Sequence, residues 1–242
     1  MACNTGVSLS PIIDGTPLEF RCAGLHNGLA LMEDMRTRSY WDHTNGECIH
    51  GSMRGTMLEQ SVPLRYYPAQ TTLRRYPEAR IALSRPSFRQ RALHRVFLRR
   101  MLEDEGHLPF MFHSTLAQDD ERRPRMELGL GVWWPGTSRF YPMERLRTQG
   151  GAIFDTIGER RVLVFIDPES QAPVAGHCDA NECRWDGSDL VLDNQDVIRD
   201  LQRVEPNGTA HPFEHIPQMF TRWYGFSATF PGCEVYEPEA HQ

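Results

Sequence analysis

The feature that most constrains this chain is its punctuation, in which short β-prone runs are broken repeatedly by turn dipeptides. Asp14-Gly15 lies between Leu9–Ile13 and Pro17–Phe20, and Asn45-Gly46 lies inside the segment from Ser39 to Gly51. Pro135-Gly136 separates Leu128–Trp134 from Arg139–Tyr141, and Val162–Ile166 reads as a buried strand. Turn dipeptides between β-prone runs are the strongest local sign of hairpins. The expected fold class is therefore α+β, mainly β.

Composition narrows the function classes. At 242 residues and 27.9 kDa the chain suits one large or two small domains. Hydrophobic content of 40%, with Gly 19 and Pro 17, is globular rather than disordered or fibrous. No apolar run is long enough to span a bilayer and no signal peptide is visible, so a cytoplasmic location is expected. Net charge of −6 argues against a nucleic-acid binder and leaves a small-molecule substrate as the expected partner. No oligomeric state follows from these numbers. All 26 basic residues are arginines. The lack of lysine removes Schiff-base catalysis, pyridoxal-phosphate anchoring, the Walker-type loop and the kinase lysine together. No glycine-rich nucleotide fingerprint appears either.

Three stretches emerge. Residues 1–84 read as an N-terminal β-rich module and residues 127–242 as a C-terminal one. Between them, residues 85–126 read as an amphipathic Arg-rich linking helix followed by a charged loop. Pro86 suits a first helical position, Gly106 a stop, and Phe88, Ala92, Val96 and Met101 recur at near-helical spacing. Asp119–Arg125 is expected to be the most mobile connection, and Asp193–Asp200 a short helix. The modules look related. Asp14-Gly15-Thr16-Pro17-Leu18-Glu19-Phe20 echoes Ile157–Phe165, and Tyr76-Pro77-Glu78-Ala79-Arg80-Ile81 echoes Phe230-Pro231-Gly232-Cys233-Glu234-Val235.

Chemistry concentrates on the second turn. A two-residue type I′ turn at Asn45-Gly46 would set His43 opposite Cys48 and Trp41 opposite His50, with all four on one face. His43 and Cys48 would then have Cβ atoms about 5 Å apart, and His50 would lie roughly 7–8 Å from His43 on the diagonal. Two imidazoles and a thiolate suit zinc, copper or iron, with an open position for water or substrate. The expected metal ligands are His43, His50, Cys48 and Cys3, with Glu47 and His26 as proton-transfer groups. The corresponding function is a metal-dependent enzyme of oxidative or hydrolytic type. One alternative is a non-catalytic binding or scaffold module. There Asp34, Thr37 and Ser39 satisfy turn backbone groups and Trp41 anchors the core. A third is a thiol-based redox protein using Cys178 and Cys183, which calls for a depressed thiol pKa and exposure. His211 and His215 are four apart, but Pro212 and Pro217 discourage a shared helix.

These residues also carry a resemblance. Cys3-Asn4-Thr5-Gly6, Gly24-Leu25-His26-Asn27-Gly28-Leu29 and Asp34-x-x-Thr37-x-Ser39-x-Trp41 resemble the domain-of-unknown-function family numbered 3179. So do Gly46-Glu47-x-x-x-Gly51, Gly55-x-x-Leu58-Glu59, Tyr76-Pro77 and the stretches Gly131–Leu146 and Trp223–Tyr236. The resemblance spans nearly the whole chain and implies no particular reaction. It implies a Cys-x-x-Cys pair near the start, with Cys3 as second member and the first either absent here or upstream of this start. It also implies exported relatives.

Overall fold

Two-residue turns set the first ladders. In the computed structural model, which describes residues 6–60, 64–80, 87–88 and 108–238, strands β1 (Ile12–Ile13) and β2 (Thr16–Pro17) pair antiparallel around Asp14-Gly15. Asp14 and Gly15 both take positive φ, 48° and 72°, as a type I′ turn demands. The same signature joins β3 (Phe20–His26) to β4 (Leu29–Asp34) through Asn27 and Gly28, at φ 49° and 69°. With β5 (Tyr40–Asp42) and β6 (Cys48–His50) these strands form a meander in the order β3-β4-β5-β6. Leu18, Trp41, Cys48 and Leu58 are its buried core. After it come an extended stretch and helix α1 (Ala69–Arg75).

The C-terminal part is built in layers. Strands β7 (Leu128–Trp134) and β8 (Thr137–Pro142) flank the Pro135-Gly136 turn as expected. Strand β17 (Gln218–Arg222) pairs antiparallel with β7, and β18 (Glu234–Val235) pairs parallel with β8. A second sheet holds β9 (Ala152–Ile157), β10 (Arg160–Ile166) and β11 (Pro173–His177). Side chains of β10 alternate between two cores. Val162 and Val164 pack with Leu130, Val132 and Tyr141, while Leu163 and Phe165 pack with Leu190, Leu192, Ile198 and Phe213. The latter cluster lies under a five-stranded meander of β12 (Cys183–Asp186), β13 (Asp189–Leu192), β14 (Val197–Arg199), β15 (Gln202–Val204) and β16 (Ala210–Pro212). Between β8 and β9 runs helix α3 (Met143–Thr148), which buries Met143 and Leu146.

Helix α4 (Trp223–Thr229) covers the outer face of the β7–β8 sheet and buries Trp223, Tyr224 and Phe226. It sits close because Gly131 has no side chain: a Cβ there would fall 2.1 Å from the Phe226 ring. Tyr224 also packs with Leu29 of β4 and Leu108, beside the short helix α2 (Phe110–His113), so the two ends of the chain share a core. The molecule is an α+β protein, mainly β.

Four expectations change or fall outside what is described. Asn45-Gly46 is not a two-residue turn. Only Gly46 takes positive φ (79°), and Asp42 N–H bonds to Glu47 O across a four-residue connection. Competing turn chemistry is the cause: the Asp42 carboxylate accepts both the N–H and the hydroxyl of Thr44, an Asx turn that starts the loop early. Asp193–Asp200 supplies strand β14 and the turn before it rather than a helix. Local bonds explain this, since Asp196 N–H donates to Asn194 Oδ1 and Leu192 N–H to Asp196 O. Asp119–Arg125 is pinned, with Trp223 Nε1 donating to Asp120 O at 2.7 Å and Tyr224 N–H to Arg125 O at 3.1 Å. The Arg-rich linking helix lies outside the described residues, Ser87 and Phe88 apart.

Candidate functional site

The Asp34–Trp41 string forms a closed polar knot. Asp34 ends β4, fully buried, and its Oδ1 accepts the N–H groups of Arg36 (2.9 Å) and Thr37 (2.8 Å). Its Oδ2 accepts the Thr37 hydroxyl, and Thr37 Oγ1 in turn accepts the Ser39 hydroxyl, the two oxygens 2.8 Å apart. Burial pushes the Asp34 carboxyl pKa up, but the hydrogen bonds from the Thr37 hydroxyl and the backbone outweigh it and hold it below the ordinary range. Trp41 is fully buried and meets Phe20 edge-on at 5.7 Å. Beside the knot, Glu33 pairs with Arg21 at 2.6 Å and Arg38 at 3.0 Å.

The anticipated metal ligands are distributed differently from the expected face. The ladder puts Cys48 opposite Trp41 and His50 opposite Tyr40, with a bulge between the pairs, and leaves His43 in the connection. Cys48 is fully buried, its Sγ lies 3.4 Å from His50 O, and burial raises its thiol pKa, which favours the thiol over the thiolate a metal takes. His50 is exposed and stacks on Tyr40 at 5.9 Å. Among the described residues, no three His, Cys, Asp or Glu side chains converge as a metal set. Cys3 lies outside the described residues. His26 ends β3 and Glu47 immediately precedes β6, on opposite edges of the meander. Three inter-strand spacings, on the order of 14 Å, separate those edges.

Cys178 and Cys183 share the hydrophobic cluster beneath the second meander. Burial pushes both thiols up, opposite to the depression that activates a nucleophilic cysteine.

A second polar centre lies where β8, β9 and β18 meet. Arg139 and Tyr141 are two apart on β8 and so share a face, and both reach Asp155 of β9. Tyr141, fully buried, donates its hydroxyl to Asp155 Oδ2 at 2.7 Å, and Arg139 reaches the same oxygen at 2.5 Å. Arg139 also donates through Nε to Glu234 of β18 at 2.8 Å. Burial, then the Asp155 charge, drive the Tyr141 phenol far above its ordinary pKa, so it stays a neutral donor. Burial opposes the Arg139 charge, but its bonds to Asp155 and Glu234 prevail and hold it charged. An open cleft of about 540 Å³ borders this group, lined by Arg139, Gln149, Phe154, Asp155, Tyr236 and Glu237. That volume is in the range of small-ligand sites. By contrast, the partly open cavity between Tyr66 and Gln218, at about 20 Å³, has room for little more than one water. The alternation of Arg139 and Tyr141 along β8 is the sequence signal for this centre, and it is a weaker one than the histidines around Asn45-Gly46.

Fold and polar centres together define a mainly β protein in which a tied turn string frames one meander and a buried Tyr–Asp–Arg group borders an open cleft. The chain belongs to the DUF3179 family of proteins of unknown function, whose model matches residues 2–238. No curated protein and no solved structure matches it. Among the described residues, no helix is long and apolar enough to cross a membrane.

Proposed function

We propose that this protein is a non-catalytic binding module whose Asp34–Trp41 string frames the fold, and whose ligand is a small polar molecule held in the cleft beside Arg139 and Asp155. The carrying observation is that Asp34, Thr37 and Ser39 satisfy one another and the turn backbone, leaving their polar atoms committed within the fold. A catalytic carboxylate needs to reach a substrate, whereas Asp34 has no exposed surface. The cleft differs, because Asp155 and Arg139 keep 14% and 20% of their side-chain surface accessible, enough to meet a ligand.

The proposal includes two related β-rich modules, 1–84 and 127–242, on either side of 85–126. Helices α1 and α4 support the relation: each has seven residues and ends on an aromatic-Pro pair. The cap residues Tyr76 (φ −130°, ψ 78°) and Phe230 (φ −122°, ψ 75°) adopt nearly the same backbone. Each cap carbonyl then accepts an N–H three residues on, from Ala79 at 2.9 Å and from Cys233 at 3.1 Å.

Elemental analysis of untagged protein beside the His43→Ala/His50→Ala double variant tests the functional reading. Binding without hairpin chemistry predicts substoichiometric zinc, copper and iron in both, and no change in thermal midpoint when these metals are added. Near-stoichiometric metal in the wild type that the double variant loses overturns it.

A further inference from the structure

The stretch from Leu64 to Arg80 joins the first meander to the chain beyond it, and not one of its residues is buried. Helix α1 within it has no side-chain N-cap and buries nothing. A helix of seven residues is far too short to persist alone in water, so something outside it holds it folded. Among the described residues, its polar links to the C-terminal part are ion pairs. Arg74 reaches Glu169 at 2.8 Å, and Arg75 reaches both Glu169 and Asp200 at 2.7 Å. Upstream, Arg65 lies 3.6 Å from Asp200, and the Tyr66 ring meets Phe220 edge-on at 5.6 Å. Residues Leu64–Tyr67 thereby roof the small cavity floored by Val174, Met219 and Phe220.

We propose that residues 64–80 are an ionic strap, which the Arg65/Arg74/Arg75 to Glu169/Asp200 pairs fasten over the Val174–Met219–Phe220 surface and which rising ionic strength releases as a unit. Exposed ion pairs are individually weak and are screened by salt, whereas the apolar layers beneath are not. The strap therefore opens in salt that leaves the sheets intact. Detachment and melting of α1 are one event, because the helix cannot stand alone.

Hydrogen exchange at the Thr72 and Tyr76 amides reads this event directly. In the folded strap they donate to Pro68 O at 2.9 Å and Thr72 O at 2.8 Å. Between about 0.01 M and about 1 M salt the Debye length falls from roughly 30 Å to roughly 3 Å. Across that range these two amides are expected to exchange about tenfold faster or more, while the β10 amides keep their rates. The Glu169→Gln/Asp200→Asn variant is expected to show the fast rate already at low salt, with little further response. Asn suits position 200 because the backbone there has φ 52°, which Asn tolerates. Salt-independent exchange at Thr72 and Tyr76 in the wild type overturns the proposal, as does an undiminished salt response in the double variant.

Discussion

A single side chain decides most where two layers come closest. Gly131 lies on β7 under α4, and an added Cβ would sit 2.1 Å from a Phe226 ring atom that is itself fully buried. Phe226 has no free rotamer to move into, being packed against Phe140 at 5.7 Å and Phe230 at 4.9 Å. Gly131→Ala is therefore expected to cost about 1–3 kcal/mol or more by overpacking, read as a lower urea midpoint with an unchanged slope. At the same scale, the Asp34, Thr37 and Ser39 knot was legible in the sequence. Its bonds among Asp34, Arg36, Thr37 and Ser39 all lie within five residues, so local turn chemistry determines it, with the Met53 N–H on Ser39 Oγ as a distant addition. The Tyr141–Asp155–Arg139 group is not legible in the sequence, because its members meet from strands of different sheets, 14 and 16 residues apart.

Elements inherit this contrast between local and distant partners. Strand β7 and its turn were readable because the alternation and Pro135-Gly136 agree on one answer. The hairpin at Asn45-Gly46 is not legible from its turn dipeptide because two local preferences compete there, and the Asx turn at Asp42 wins. A tertiary contact reinforces the winner. The Thr44 side chain is fully buried, and its hydroxyl lies 2.9 Å from Thr229 Oγ1 at the end of α4. That bond ties the N-terminal hairpin loop to the C-terminal helix, 185 residues away. Thr44→Val keeps the shape but removes the hydroxyl that Asp42 accepts and Thr229 meets; Asp42 keeps the Thr44 N–H and Thr229 keeps Gly225 O, so the expected cost is about 1 kcal/mol. Combined with Thr229→Val in a double-mutant cycle, it should show a coupling of at least about 0.5 kcal/mol. Additive losses would mean that the two elements meet without communicating.

For the whole molecule, the same logic extends to how the extended stretch at Arg65 rests on the C-terminal sheets. His215 bridges to Gly176 of β11, its ring edge-on to Phe213 at 6.2 Å, and its Nδ1 is buried without a hydrogen-bond partner among the described residues. Burial first, and the Arg65 charge second, lower its pKa below the ordinary 6.5. The sign follows from linkage. Above 6.5 the imidazole is neutral in both folded and unfolded chains, and its stabilising contribution is fully present. As pH falls below 6.5 the unfolded chain takes up the proton first, so the folded state loses that contribution until its own lowered pKa is passed. Carboxylates held low, such as Asp34, lose theirs only at more acidic pH, through a window beginning near 3.8. Between about pH 7 and pH 5 the wild type should therefore lose more stability than His215→Gln, whose amide does not titrate in that range. Chemical denaturation of both proteins at each pH measures the difference. Parallel curves would place the titrating imidazole in water, and a wild type that gains on His215→Gln as pH falls would mean that the folded chain stabilises the imidazolium, against both burial and the Arg65 charge.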